Sequence, residues 1–209
     1  MPVLPRGYRA SWMAARPGAM CDHPTVPPIE PPTLDTPRLR LRPLEEADAA
    51  ALNAIQADPD HMRFYPHPFS FQETIDWIGR TRFRYERDGF ALLAVEDRST
   101  GEFLGNVGPA IQRVDGVDEV ELGWSIAPSR AGQGIATEAA IACRDWAFAA
   151  LPIDYLVSLV APAHTASRRV AEHLGMAVWK EVLWGALQPR VHLVYRLDRP
   201  APPSGSDPP

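Results

Sequence analysis

The chain has 209 residues, a formal net charge of −5 and a pI near 5.7, a balance that disfavours nucleic-acid binding, which draws its affinity from Lys and Arg neutralising phosphates. Of its 23 prolines, nine fall in residues 1–37 and five in residues 200–209, so proline-rich disordered tails are expected at 1–33 and 200–209, around one domain at 34–199. Two cysteines, Cys21 and Cys143, predict no disulfide, and the absence of a leader-like or 20-residue apolar stretch predicts a cytoplasmic protein with no membrane partner.

Residues 38–44 alternate arginine with leucine, the period-2 signature of a half-buried strand that opens the domain. Residues 45–57 predict a short alanine-rich helix stopped at Asp58-Pro59, and residues 64–71 an aromatic, proline-containing loop. Residues 72–88 predict a second helix with Ile75, Ile78, Arg82 and Tyr85 along one side and Gly89 at its end. Arg80, Arg82, Arg84 and Arg87 in that helix, interrupted by Glu86 and Asp88, read as a solvated face.

Residues 90–95 and 103–111 predict a hairpin about a turn at 97–101, and a turn at 114–118 leads into a strand at 119–126. That strand alternates, with Val120, Leu122, Trp124 and Ile126 on an apolar face and Glu119, Glu121, Gly123 and Ser125 on a polar one. After a loop at 127–134, a helix at 135–150 sets Ile135, Ala139, Ala142 and Trp146 on one stripe. A strand at 155–160, a helix at 165–174 ended by Gly175, and strands at 177–183 and 190–197 complete the pattern. Strands before the main helix and strand–helix alternation after it predict an α/β domain with a mixed sheet and helices on both faces.

Ser129 to Glu138, reading SRAGQGIATE, join a strand to a helix N-terminus. Gly132 and Gly134 with the small Ala136 let backbone N–H groups approach a ligand closely, and the helix end adds positive partial charge, which suits a diphosphate. No lysine follows, so the loop is not a P-loop. As a dinucleotide fingerprint it would put its third small residue at Thr137 and its ribose acid at Asp154, which begins a strand instead of ending one; that reading takes second place.

Residues 34–42 (LDTPRLRLR), Glu121-Leu122-Gly123-Trp124, the glycine loop with Ala136-Thr137-Glu138-Ala139, and residues 167–175 (SRRVAEHLG) together resemble the GNAT superfamily of acyl-CoA-dependent N-acyltransferases. Within it they resemble the ribosomal-protein N-acetyltransferase (RimJ/RimL-like) branch. The resemblance implies a single domain with a mixed, mostly antiparallel sheet, helices on both faces and a V-shaped splay between central strands that receives acetyl-CoA, with no metal. It further implies that Gly132, Gln133, Gly134, Ile135 and Ala136 offer backbone N–H groups to the pyrophosphate and that the Ile126 backbone pairs with pantetheine. His164 stands where the family usually has an asparagine that contacts pantetheine, and Ala131 stands where its loop often begins with Gln, Arg or Trp.

An amine acceptor is mostly protonated at neutral pH, with a pKa of about 8 to 10.4. Glu121 is the first candidate for the base, acting through water, with Glu119 facing the same way. The family's frequent tyrosine acid falls on Ala171, and Ser167 takes the position that can hydrogen-bond or protonate the departing thiolate; it also reads as a simple helix cap. Cys143, inside a helix without a paired histidine, gives no support to a covalent intermediate. The implied reaction is acetyl transfer from acetyl-CoA to a protein N-terminal or small-molecule amine by direct attack in a ternary complex. The acceptor is expected beside Phe64, Tyr65, His67 and Phe69. The acidic overall balance suits a cationic acceptor. A larger acyl donor such as succinyl-CoA, marked by an arginine facing the thioester, and a silent CoA-binding module are the competing readings. The chain is expected to be a monomer or homodimer.

Overall fold

The computed structural model describes residues 30–185 and 189–201. Cys21 and nearly all of both proline-rich tails lie outside them. The described chain runs β1 (Leu34–Asp35), β2 (Leu39–Pro43), α1 (Ala49–Gln56), α2 (Phe71–Asp88), β3 (Leu93–Asp97), β4 (Phe103–Val114), β5 (Val117–Ile126), α3 (Ile135–Ala150), β6 (Tyr155–Val160), α4 (Thr165–His173), β7 (Ala177–Trp184) and β8 (Arg190–Asp198). Two differences are local. The expected first helix begins as a 3-10 turn at Glu46–Asp48, and a second such turn, His61–Phe64, opens the aromatic loop.

The strands form one eight-stranded sheet in the order β1-β2-β3-β4-β5-β6-β8-β7. Every neighbouring pair is antiparallel except β5–β6, which is parallel and registers at a single pair, Glu121 with Val157. This is the expected splay. The β4–β5 turn is tighter than its composition suggests, because Asp115 and Gly116 both take positive φ (49° and 80°) and close a two-residue hairpin of the kind whose twist matches its strands.

Alternation along β3 assigns the layers. Leu93 and Val95 belong to the core that holds Ala139 and Cys143 of α3 and Ala171 of α4, whereas Ala94 belongs to the one that holds Leu52 of α1 and Ile78 of α2, so helices cover both faces. The buried rows of two helices are turned from their expected phase. On α2 they are Thr74, Ile78, Thr81 and Tyr85, with Arg82 exposed; on α3 they include Ile135, Ala139, Cys143 and Ala147, with Trp146 and Ala142 only half-buried. Small side chains explain this: Thr81 and Cys143 fit a tight helix–sheet contact where Arg82 and Trp146 would not.

Candidate active site

The glycine loop enters α3 without a side-chain cap. Gly132 and Gly134 hold left-handed φ values of 74° and 75°, which a Cβ would disfavour. The first intrahelical bond of this turn runs from Glu138 N–H to Gly134 C=O, so the N–H groups of the preceding turn point out of the helix end, as an anion requires. Arg38 braces the loop from β2. Its Nε donates to Glu138 Oε2 at 2.6 Å and its Nη1 to the Gln133 carbonyl at 3.0 Å, while Thr36 Oγ1 donates to Glu138 Oε1 at 2.6 Å. Burial raises the Glu138 pKa, but the bonds from Thr36 and Arg38 together outweigh it and hold the carboxyl below its ordinary value.

Beyond Glu121 and Val157 the two central strands part. Ala127 N–H donates to Leu104 C=O, and Leu122 C=O accepts from Ser158 Oγ at 2.6 Å. In an antiparallel ladder these bonds fix which peptides face which neighbour: the even-numbered residues of β5 turn toward β6. The peptide groups of Trp124 and Ile126 therefore face an open gap that leads from the glycine loop.

The gap opens into a cavity of about 310 Å³ lined by residues of both central strands, α2, the aromatic loop and the start of α4. Glu121 lies at its apex, where its Oε1 accepts the Leu159 N–H at 3.2 Å. Burial pushes its pKa up to about 7, against the Leu159 N–H, the Gln112 side chain and Arg84, each of which favours the carboxylate. Glu119 is buried farther down β5, paired in register with Gln112, and is not in the cavity wall.

Opposite stands the start of α4. Ser167 does not cap this helix; His164 does, its Nδ1 accepting the Ser167 N–H at 3.4 Å. The Ser167 hydroxyl oxygen instead accepts the indole N–H of Trp124 at 3.0 Å, which leaves its own hydrogen to donate. His164 stacks on Phe64 at 4.4 Å, and its pKa is lowered by burial first and then by Arg63 and His61. Ala171 is fully buried, so a tyrosine would not fit there without repacking. Cys143 is fully buried and burial raises its thiol pKa, which keeps it inert.

Four wall residues had no site role assigned from the sequence. Trp124 patterned as core. His61, with a pKa lowered chiefly by burial, pairs its Nε2 with Ser125 Oγ at 2.9 Å. Asn106 is 1% exposed, and its Nδ2 has no partner among the described residues. Arg84, expected on a solvated face, is half-buried and lines the cavity. Only Arg80, Arg82 and Arg87 of its cluster are exposed. Among the loop aromatics, Phe64, Tyr65 and Phe69 reach the wall and His67 does not.

A sheet opened between two parallel strands, with a glycine loop at one end and a carboxylate at the apex, defines an acyl-CoA-dependent transferase. The chain belongs to the GNAT family: residues 38–177 match the acetyltransferase (GNAT) domain. It is an acyltransferase acting on amino groups, and acetyl-CoA is its family's donor. It is 35% identical over 150 residues to the uncharacterized protein YkkB of Bacillus subtilis (strain 168), covering 71% of this chain and 87% of that one. It is 26% identical over 147 residues to the uncharacterized N-acetyltransferase YoaA of the same organism, covering 69% and 82%. The crystal structure of an acetyltransferase from Agrobacterium tumefaciens str. C58 superposes with a TM-score of 0.68 at 35% identity, over 79% of this chain and 94% of that one. RimL, a ribosomal L7/L12 alpha-N-protein acetyltransferase in complex with coenzyme A, shares the fold at a TM-score of 0.61 and 18% identity, over 78% and 95%. Among the described residues no helix is long and apolar enough to cross a membrane.

Proposed function

We propose that the chain transfers the acetyl group of acetyl-CoA to a primary amine by direct attack in a ternary complex. The observation that carries this reading is the open run of β5 peptides between the glycine loop and Glu121. The backbone N–H groups from Gly132 to Ala136, at the open end of α3, take the pyrophosphate. Trp124 and Ile126 pair their peptides with the pantetheine arm, which brings the thioester beside Ser167. His164 packs against the arm, its imidazole held by Phe64 and the α4 cap.

Glu121 serves as the base. A carboxylate with a pKa near 7 is about half ionised at neutral pH and is better matched to an ammonium proton than one at 4.5. The amine gives that proton to Glu121 through water, its nitrogen attacks the thioester carbon, and the C–S bond breaks. Ser167 donates a hydrogen bond to the departing thiolate, a fair leaving group with a cysteine-like pKa of about 8.5, and the second proton of the attacking nitrogen ends on that sulfur, leaving a neutral amide and the CoA thiol. Proteins that share the fold include a ribosomal L7/L12 alpha-N-protein acetyltransferase and a spermidine N-acetyltransferase chimera, so the reaction class spans protein and small-molecule amines.

Thermal shift with acetyl-CoA, succinyl-CoA and NADH, followed by CoA-thiol release with amines and peptides, tests the reading. Acetyl-CoA at 100 times its Kd should add about 2.7 kcal/mol of stability. Stabilisation by NADH alone would overturn it.

A further inference from the structure

The acceptor end of the cavity carries a charge opposite to that of the whole chain. The net charge is −5, yet Glu121 is the one carboxylate in the described wall, against Arg84 and Arg190, with His61, His164 and His192 beside them. Arg84 makes no hydrogen bond and no ion pair within 4 Å to any described residue. Its acidic neighbours are committed elsewhere: Asp88 takes both prongs of Arg87, at 2.7 and 2.6 Å, and Glu121 takes the Leu159 N–H. Burial, then Arg87, hold the Arg84 pKa below its ordinary value despite Asp88 and Glu121. A guanidinium so placed is short of an anion, and half-buried charge without a partner is costly.

We propose that the acceptor is an amine bearing a carboxylate, an amino-acid-like molecule whose amine lies by Glu121 while its carboxylate pairs with Arg84. The inference rests on the acetyl-transfer reading above and names its substrate class. Arg84 and Glu121 line one cavity and act on each other electrostatically, so a single small molecule in that cavity can meet both. Arg84 presents a planar fork suited to a carboxylate. Phe64, Phe69 and Trp77 line the same cavity and leave room for an apolar side chain. A polyamine would set further cations against Arg84 and Arg190, which like-charge repulsion opposes. A carboxylate on the acyl group, as in succinyl-CoA, is the other source of the same chemistry.

The test uses full-length enzyme with acetyl-CoA and acceptor pairs that differ only in the carboxylate, L-tyrosine with tyramine and L-tryptophan with tryptamine, together with spermidine. Thiol release gives kcat and KM, and calorimetry on the CoA-bound enzyme gives the Kd of each probe. The acids should exceed their decarboxylated partners at least tenfold in kcat/KM or affinity. Arg84→Gln should cost the acids at least tenfold more than the amines, and Arg84→Lys should restore part of the loss. Equal or better use of tyramine, tryptamine or spermidine overturns the proposal while leaving acetyl transfer standing, and so does an equal loss on both members of a pair in R84Q. Failure of every acid to bind also overturns it. A defect of R84Q confined to succinyl-CoA as donor assigns the carboxylate to the acyl group and overturns it too. Acids that bind through Arg84 without thiol release from any amine keep the recognition site and remove the acetyl-transfer reading.

Discussion

The Glu121 carboxylate accepts the Leu159 amide hydrogen at 3.2 Å, across the point where β5 and β6 separate. A ladder bond is replaced there by a side chain, so the group that satisfies the apex of the splay is also the group that lines the cavity.

Glu121→Gln should lower kcat/KM by about 10²- to 10⁴-fold, the usual worth of a general base. In the wild type, kcat/KM should fall below about pH 7 as Glu121 protonates, and this limb should vanish in the variant. Because the folded pKa lies above the ordinary 4.5, the folded state binds the extra proton, and stability drops as pH rises through the window from 4.5 to 7. E121Q keeps an acceptor for Leu159 and carries no charge, so its Tm above pH 7 should equal or exceed that of the wild type. An unchanged pH–rate profile in E121Q would move the base elsewhere.

Ser167→Ala removes one hydrogen bond to the leaving thiolate. A net bond is worth about 1 kcal/mol, or roughly fivefold in rate, so kcat should fall by about that factor with little change in the KM for acetyl-CoA. Trp124→Phe, which removes the indole N–H that orients the hydroxyl, should act in the same direction. Single-turnover rates check both.

Gly134→Ala meets nothing closer than Arg38 Nη2 at 3.6 Å, so its cost comes from the left-handed φ of 75°, about 1 to 2 kcal/mol. The loop can escape that strain only by giving up its shape. The Kd for acetyl-CoA should rise about tenfold by calorimetry. Arg38→Ala should do likewise with little change in Tm, because its side chain is 52% exposed and surface ion pairs add only about 0 to 1 kcal/mol to global stability.

A chain lacking residues 1–29 should keep the acetyl-CoA thermal shift, since every described strand and helix begins at Leu34 or later and the family match begins at residue 38. Loss of that shift would give the proline-rich segment a part in the binding site.

The order of elements was legible because each announces itself over a few neighbouring residues. The alternation of β5, Gly89 after α2 and the paired glycines before α3 are all local signals. The phase of α2 was not legible: Arg82 and Thr81 are 100° apart on a helix, and only the packed sheet decides which can be buried. The polar part of the cavity wall was likewise hidden. Arg84, His61 and Asn106 reach one cavity from α2, a 3-10 turn and β4, and no spacing relates them. Which of Glu121 and Glu119 lines the cavity depends on where β6, some 35 residues later, parts from β5. By itself, then, the sequence determined the strands, helices and glycine loop, whose causes are short-range. The tertiary structure decided which charges meet in the cavity, because burial and long-range pairing, not the neighbours in sequence, set their pKa values and their partners.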